Sequence, residues 1–227
     1  EERDMSGWSV SLSSDGKIVA IGATTNDGNG MNSGHVRVFK LNDSTSIWEQ
    51  VGEDIDGKEA SDKFGSAVSL SSDGKVVAIG ANSNNGNGDN SGHVRVFYDV
   101  SGTWKQIGQD IDGEDENNWS GDSVSLSSDG TVVAIGASRN DGNGDKSGHV
   151  RVWRHNGVID NWEQIGEDID GEEAGDMFGC SVSLSSDGKT VAVGAHSNEG
   201  NRYLSGHVRV FQLNDMNSSW EQVGQDI

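Results

Sequence analysis

The amino-acid sequence predicts an all-β fold, a β-propeller of four four-stranded antiparallel blades. The hexapeptide SLSSDG occurs four times, with its aspartate at Asp15, Asp73, Asp129 and Asp187. Four segments recur in one order around each copy, and each has the β-branched residues and Gly/Asn/Asp punctuation of short strands. The 3.6-residue periodicity of an amphipathic helix is missing from every segment.

Composition narrows the class of protein further. The chain has 227 residues, of which 33 are glycine and only 32% are apolar, as many short strands and turns require. A net charge of −21 opposes binding to nucleic acid or to an anionic membrane. Cys180 is the single cysteine, which excludes an intrachain disulfide and a thiolate metal site. Since the apolar runs are short, we expect no membrane insertion.

The first two strands of a repeat have the patterns expected of inner blade strands. In the first, Val10 and Leu12 alternate with serines, and small serines suit the crowded axis of a propeller. The second, KIVAIGA, is apolar on both faces, as a strand sandwiched within the blade should be. Between the two strands, Asp15-Gly16 predicts a two-residue type I′ hairpin turn.

The last two strands lie further from the predicted axis. The third strand alternates His35, Arg37 and Phe39 with valines. The fourth carries one aromatic anchor followed by polar residues, which marks an outer strand held down by a single large side chain. That anchor is Trp48, Trp104, Trp162 or Trp220.

We expect a single propeller domain over residues 1–227, with repeats of approximately 1–57, 58–113, 114–171 and 172–227. The repeated aspartates are 58, 56 and 58 residues apart, and the chain ends together supply nearly one more spacing. A whole number of repeats favours a ring closed by four blades. A block of a longer array is the alternative.

Two dipeptides resemble those of a known family. A Phe-Gly pair leads the first strand, and a Gly-Ala pair ends the second, at Phe64-Gly65, Gly80-Ala81, Phe178-Gly179 and Gly194-Ala195. The pattern resembles FG-GAP repeats, the blades of the integrin α-subunit propeller, and is closer to bacterial and algal variants. The resemblance implies an extracellular propeller used in adhesion or recognition.

The sequence departs from the family pattern at several places. Copies one and three have Ser6-Gly7 and Ser120-Gly121 in place of Phe-Gly, and the chain contains no proline. The integrin-type calcium loop lies between the first two strands, where this chain has SSDGK. The family's calcium ligands therefore do not transfer to these positions.

The loop between the second and third strands is the first candidate cation site. Calcium loops place oxygens at alternate positions, with glycines that allow a sharp wrap. Copies two and three fit this pattern, at Asn85, Asn87 and Asp89 and at Asp141, Asn143 and Asp145. The alternative is an ordinary Asn-Gly or Asp-Gly turn.

The connection between blades is the second candidate cation site. Its acids are dense enough to repel one another unless a cation or basic side chains neutralise them. They are Asp54, Asp56 and Asp62 after the first blade, and Asp168, Asp170, Glu172 and Asp176 after the third. Screening by Lys and Arg, with the last aspartate capping the turn, is the alternative to Ca²⁺.

Catalysis needs unlike residues converging on one point, whereas this chain repeats nearly the same residues four times. We therefore expect a non-catalytic, secreted or cell-surface propeller for adhesion, structural assembly or protein recognition, with Ca²⁺ as its ion and self-assembly as an option. The alternative is a lectin-like module for glycans or small ligands, with Trp8, Trp119 and Tyr203 as exposed aromatics. A hydrolase is the second alternative.

Overall fold

A computed structural model describes residues 3–198 and 205–227. Its elements are antiparallel strands, and the described part of the chain contains no helix that could span a bilayer. The strands group into four consecutive sheets, which are the four predicted blades. The all-β propeller prediction is confirmed.

The blades follow one another along the chain. Blade 1 consists of β1 (Ser9–Leu12), β2 (Ile18–Ala23), β3 (His35–Asn42), β4 (Ile47–Gln50) and β5 (Ile55–Asp56). Blade 2 consists of β6 (Val68–Leu70), β7 (Val76–Ala81), β8 (His93–Asp99), β9 (Trp104–Gln106) and β10 (Ile111–Asp112). Blade 3 consists of β11 (Ser123–Leu126), β12 (Val132–Ala137), β13 (His149–Asn156), β14 (Asn161–Gln164) and β15 (Ile169–Asp170). Blade 4 consists of β16 (Ser181–Leu184), β17 (Thr190–Ala195), β18 (His207–Asn214) and β19 (Ser219–Gln222).

The outermost strand of a blade is split into two segments. In blade 1, β4 pairs with the later half of β3, while β5 pairs with His35 and Val36 at its beginning. Gly52 lies between the two segments with a φ of 74°, a left-handed conformation that glycine adopts without strain. The short second segment carries the acidic connector to the next blade, so the split positions those acids beside the third strand.

The SSDG turn differs from the predicted type I′ hairpin. A type I′ turn requires positive φ at both central residues, but in blade 1 only Gly16 has one, at 69°. The Gly16 N–H donates to the Ser13 carbonyl at 2.9 Å, and Ser13 closes the loop against Ile18. The Asp15 carboxylate accepts bonds from the Ser13 hydroxyl and the Lys17 N–H. Since that aspartate stabilises the loop through its side chain, it needs no left-handed backbone.

The hydrophobic core lies between blades. Three clusters of buried apolar residues fill the junctions of blades 1 and 2, 2 and 3, and 3 and 4. Each junction combines the valines of one blade's third strand with the first two strands and the outer aromatic of the next blade. Burial of this apolar surface is the main term that holds successive blades together.

Glycines set the distance between neighbouring blades. A Cβ on Gly80 would lie 2.1 Å from the Gly121 carbonyl oxygen, and one on Gly136 would lie 2.0 Å from that of Gly179. The Gly-Ala glycine of one blade is therefore covered by the carbonyl of the [Phe/Ser]-Gly turn of the next. This contact explains the Gly-Ala glycine, whereas the turn glycine also has a positive φ, 85° at Gly121 and 87° at Gly179.

The four blades form an arc rather than a closed ring. The innermost strands pack in series, β1 on β6, β6 on β11 and β11 on β16. On the side of blade 1 that faces away from blade 2, Val10 and Leu12 are 63% and 60% exposed. Their counterparts in blade 2, Val68 and Leu70, are 9% and 8% exposed. Of the two arrangements left open by the sequence, the described residues show the open block, and the expected four-blade closure is not observed.

Candidate functional site

Each blade begins with the same backbone turn. The residue before the [Phe/Ser]-Gly pair has a φ between 53° and 58° in all four blades, at Met5, Lys63, Trp119 and Met177. The residue after the pair donates its N–H back to that residue's carbonyl at 3.0–3.1 Å. The turn in blade 2 also bonds backward, from the Phe64 N–H to the Ser33 carbonyl of blade 1. The equivalent bonds run from Ser120 to Ser91 and from Phe178 to Ser147, so the preceding blade fixes this turn in blades 2, 3 and 4.

The pair of side chains that flanks the [Phe/Ser]-Gly dipeptide differs from one turn to the next. The two positions that flank the pair hold Met5 and Trp8, Lys63 and Ser66, Trp119 and Asp122, then Met177 and Cys180. The turns of the first three blades line one cavity of about 520 Å³, together with Thr24, Thr25 and Asn82. We call this the turn cavity. Here a nearly invariant repeat places unlike side chains around one point.

Two residues of the turn cavity are held by their neighbours. The Asp122 carboxylate accepts hydrogen bonds from the Asn82 amide at 3.1 Å and from the Ser138 hydroxyl at 2.6 Å. The Arg139 guanidinium carbon lies 3.5 Å from the centre of the Trp119 ring, which fixes that ring by a cation–π contact. Trp8 is 58% exposed and free to meet a ligand. The cavity therefore has a preset carboxylate beside two aromatic surfaces.

This arrangement suits a small ligand with an apolar ring face and polar edges. Indole rings stack on such a face, while Asp122, Asn82 and the threonines offer hydrogen-bond partners. Lys63 adds a positive charge to the cavity wall. A carboxylate can act as a general base, and an ammonium group can stabilise a developing negative charge.

Sequence reasoning identified Trp8 and Trp119 but missed Lys63 and Asp122. Equivalent turn positions are 56 to 58 residues apart in the sequence, so no local motif joins Lys63 to Asp122. The available signal was variation at two positions of an otherwise constant repeat. Tyr203, the third predicted aromatic, lies outside the described residues.

We call the loop between the second and third strands of a blade its opening loop. In blades 2 and 3, the loop's own side chains hold it in place. Asp141 accepts a bond from the Lys146 N–H at 2.7 Å, and Asn85 accepts one from the Asn90 N–H at 2.8 Å. Asn87 and Asn143 donate their amides to the carbonyls of Gly113 and Gly171 in the following connector, both at 2.9 Å. Asp89 and Asp145 remain exposed. These bonds make each loop a turn tied to the blade connection.

The predicted connector acids fall into three environments. Asp54 is held by a bidentate bond from Arg37 and by Gln50, and Asp168 by Gln164. Asp62 and Asp176 are buried and accept backbone N–H groups of their own turns, from Glu59 and Glu173. Glu172 pairs with Arg209 of the next blade at 3.2 Å. Basic and amide side chains thus neutralise or hydrogen-bond many of these acids. The two remaining predicted acids, Asp56 and Asp170, lie beside the histidines of the third strands.

A histidine at the start of each third strand lies against these acids. The groups are His35 with Asp54 and Asp56, His93 with Asp110 and Asp112, His149 with Glu114 and Asp168, and His207 with Glu172 and Asp226. Burial lowers the pKa of His93 and of His149 to about 4, so both rings are neutral at pH 7. Burial also raises the pKa of Glu114, Asp56 and Asp170, with a nearby aspartate adding to the effect on the last two.

Both candidate cation sites meet at one place in blade 3. Asp141 of the opening loop, Asp168 and Asp170 of the connector, His149 and Glu114 line a cavity of about 570 Å³. Carboxylate oxygens suit Ca²⁺, but the imidazole nitrogen and the Arg151 that pairs with Glu114 at 3.4 Å fit it poorly. Among the described residues, four acid–histidine groups have ligand atoms close enough to share an ion. Neither Asp89 nor Asp145 belongs to one of these groups. Calcium binding stays a prediction.

Comparison with protein families gives the class of this propeller. The profile of the FG-GAP repeat matches residues 1–39, 55–97 and 169–211, which is more than half of the chain. The chain belongs to the FG-GAP repeat family, as its Phe-Gly and Gly-Ala pairs indicated. Comparison with curated protein sequences gives no match.

The solved structures that resemble this chain are propellers at low sequence identity. They include structures described as 6-phosphogluconolactonases from Bacteroides uniformis (18% identity, TM-score 0.65) and Bacteroides fragilis (16%, 0.62). A third is the periplasmic gluconolactonase of Pseudomonas aeruginosa (16% identity, TM-score 0.62). Each match covers 96% of this chain but only 53–56% of the other, so the chain spans about half the length of those structures.

These relatives correct the prediction of a non-catalytic adhesion propeller. The structures of similar fold carry the names of hydrolases, so the inference from repetition to absence of catalysis is wrong. It failed because the sequence does not show which positions of different repeats lie close together in the folded chain. In the folded chain, the variable turn positions of three blades converge, and their side chains differ in kind.

Proposed function

We propose that this chain is a hydrolase for small cyclic esters of sugars, with the turn cavity as its active site. The observation that carries the proposal is the meeting of Trp8, Trp119, Lys63 and Asp122 in one cavity of about 520 Å³. The lactonase names of the similar structures support the choice of substrate class.

In this proposal each residue of the turn cavity has a role. The indole rings of Trp8 and Trp119 hold the apolar face of the sugar ring. Asp122, oriented by Asn82 and Ser138, accepts a proton from a water molecule as that water adds to the ester carbonyl. The Lys63 ammonium stabilises the negative charge that develops on the carbonyl oxygen. The ring C–O bond then breaks, and the proton passes to the departing ring oxygen.

Lactone hydrolysis by the purified chain tests this proposal. We expect release of acid from a δ-gluconolactone above the buffer rate, and a loss of about 100-fold or more in kcat/KM for Asp122→Asn. Asp145→Asn, which removes an exposed carboxylate from an opening loop, is the matched control and should keep full activity. Absence of turnover above buffer for both the free and the 6-phosphorylated lactone would show that the proposal is wrong.

A second candidate function is binding of a sugar without turnover. The exposure of Trp8 beside Trp119 favours it, because aromatic surfaces next to polar groups are typical of sugar sites. Quenching of tryptophan fluorescence by gluconate or a monosaccharide, lost in Trp8→Ala but retained in Asp122→Asn, would distinguish binding from catalysis.

For the location of the protein, we propose the space outside the cytoplasm. The family resemblance and the periplasmic relative from Pseudomonas aeruginosa support this. A secreted or cell-surface position is the narrower form of the same proposal.

A further inference from the structure

A buried histidine of blade 3 faces two carboxylates without bonding to either. His149 begins β13 and is 2% exposed. Its Nδ1 atom lies 3.5 Å from an Asp168 oxygen and 3.9 Å from a Glu114 oxygen. Both distances exceed the length of an N–H···O hydrogen bond, which is about 2.7–3.2 Å. Within the described chain no other group bonds to this nitrogen, so it points into the space between two acids with no partner of its own.

Each of the two carboxylates has one oxygen held by the protein and the other directed at His149. Gln164 donates to the Oδ1 atom of Asp168 at 2.7 Å, and Oδ2 is the atom that faces the ring. Arg151 lies 3.4 Å from the Oε1 atom of Glu114, and Oε2 faces the ring. Contacts of this kind orient the ligands of metal sites and leave one oxygen for the ion.

The fold brings these groups together across the junction of blades 2 and 3. The short strand β15 pairs with the beginning of β13, so Asp168, which directly precedes β15, lies beside His149. Glu114 comes from the other blade, in the connector that follows β10. Arg151 donates to the Asp112 carbonyl at 2.7 Å and so holds that connector against blade 3.

The equivalent place in blade 2 already holds a cation. There the His93 Nδ1 faces the Oδ2 atom of Asp110 at 4.0 Å, and Gln106 holds the Oδ1 atom of the same carboxylate. The Lys58 ammonium lies 2.6 Å from that Oδ2 atom. Lys58 has the position in its connector that Glu114 has in the next one, 56 residues later. Blade 2 therefore fills this place with a positive side chain of its own.

Blade 3 lacks that internal cation and has an acid instead. Glutamate in place of lysine makes the blade 3 group more negative by two charges, and Arg151 does not compensate because blade 2 has Arg95 at the equivalent position. Carboxylates this close repel one another unless a cation lies between them. The cavity at this place has a volume of about 570 Å³, which leaves room for an ion and its water.

We propose that blade 3 binds a divalent transition metal ion of the Zn²⁺ type through His149 Nδ1, Asp168 Oδ2 and Glu114 Oε2. Imidazole nitrogen and carboxylate oxygen are ligands that Zn²⁺ prefers, whereas Ca²⁺ takes about six to eight oxygens. Tetrahedral coordination with bonds of about 2.0–2.2 Å puts neighbouring ligand atoms about 3.4 Å apart. The three atoms here lie within 4.8 Å of one another, so a small rotation of the Glu114 side chain, which is 40% exposed, completes the geometry.

The ion links two blades, because Glu114 follows blade 2 while His149 and Asp168 belong to blade 3. Its fourth coordination position faces the cavity and is left to water. Since the unfolded chain does not hold these three groups together, the ion binds the folded chain preferentially and stabilises it by mass action.

Calorimetric titration of the chelator-treated chain with ZnCl₂ tests the proposal. We expect saturable binding, and a melting temperature several degrees higher at saturation than without metal. Ca²⁺ and Mg²⁺ should bind at least about tenfold more weakly, because neither prefers an imidazole ligand. Binding of Ca²⁺ as tight as that of Zn²⁺ would overturn the proposal, and so would the absence of Zn²⁺ binding.

Exchange of the connector residue between blades locates the ion. Glu114→Lys gives blade 3 the ammonium of blade 2 and should bind one Zn²⁺ fewer than the wild-type chain. Lys58→Glu gives blade 2 the carboxylate of blade 3 and should bind one Zn²⁺ more. Glu163→Lys is the matched control, since it makes the same substitution at an exposed position of β14 and should bind as the wild-type chain does.

Zinc bound only at surface acids gives a different pattern. Equal numbers of ions on the wild-type and Glu114→Lys chains would show adventitious binding and overturn the proposal, and so would no additional ion on a folded Lys58→Glu chain. Asp168→Asn keeps the shape of the side chain but removes its charge, and it should weaken Zn²⁺ binding at least about tenfold. Circular dichroism and thermal unfolding of each metal-free variant confirm that the chains compared are folded.

Discussion

Glycine has two different structural roles in this repeat. At Gly16 and Gly52 it supplies a positive φ, at 69° and 74°. At Gly136 it supplies space, because the Gly179 carbonyl of the next blade occupies the position of a Cβ. The second role explains why the Gly-Ala and Phe-Gly pairs occur together. They are the two sides of one contact between blades.

Replacing the junction glycine should destabilise the fold. Gly136→Ala places a methyl group 2.0 Å from a backbone oxygen, so blades 3 and 4 must separate. We expect a loss of about 2 kcal/mol in the free energy of unfolding and a melting temperature several degrees lower. The melting temperature of Gly194→Ala should fall much less, since the nearest neighbour of its new methyl group is the rotatable Ser181 hydroxyl. Equal losses in the two variants would contradict this account.

The third strand and the split outer strand act together as an element. The third strand buries a histidine, and the short outer segment brings an acid to it. The His149 Nδ1 lies 3.5 Å from an Asp168 carboxylate oxygen, and the His35 Nδ1 lies 3.5 Å from one of Asp54. Because the pairing recurs in every blade, it is first a feature of blade construction.

This element should make stability depend on pH. The pKa of His93 and of His149 is lowered from 6.5 to about 4, mainly by burial, so the unfolded chain binds protons between these values while the folded chain does not. Stability is thus fully present above pH 6.5 and lost as the pH falls toward 4, by up to about 3 kcal/mol per histidine.

Several charged groups face these rings and modify the loss. Asp110, Arg95 and Lys58 lie near His93, and Asp168, Glu114 and Arg151 near His149. Burial raises the pKa of Glu114, so this carboxylate takes up a proton at a higher pH in the folded chain than in the unfolded chain. That uptake stabilises the folded chain and opposes the loss of stability below about pH 4.5. Urea midpoints at pH 7, 6 and 5 measure the effect. His149→Asn should flatten the profile, whereas His196→Asn, an exposed histidine, should leave it unchanged. A wild-type midpoint constant from pH 7 to 5 would contradict the prediction.

Charge dominates the whole molecule. A net charge of −21 on 227 residues opposes the compact state and opposes association of two copies. The basic residues at the blade connections, such as Lys58 beside Asp110 at 2.6 Å, offset this locally. The remaining repulsion acts over distances that salt screens.

Salt should therefore stabilise the fold. Raising NaCl from 20 mM to 500 mM should increase the melting temperature by several degrees, because the Debye length falls to a few ångströms. MgCl₂ and CaCl₂ at matched ionic strength are the controls, and a larger rise with calcium alone would support the predicted cation site. A melting temperature that falls with NaCl would contradict the charge argument.

The predicted fold was accurate where the repeat itself carried the information. The strand order, the four blades and the outer aromatic anchors follow from period and alternation. The SSDG turn type was wrong because the Asp15 side chain, not a left-handed backbone, stabilises the loop. The turn cavity was missed because Lys63 and Asp122 belong to different repeats, and only packing of the blades brings them to one cavity.

The sequence by itself determined the blade: local alternation, turn residues and period act within about 57 residues, and four copies agree. Only the tertiary structure decided how blades relate. It showed an arc instead of a four-blade ring, and it gathered unlike turn residues from three blades around one cavity. The physical reason is that the rotation between blades comes from packing across each junction, where glycine contacts and buried valines set the angle. No single repeat encodes that angle.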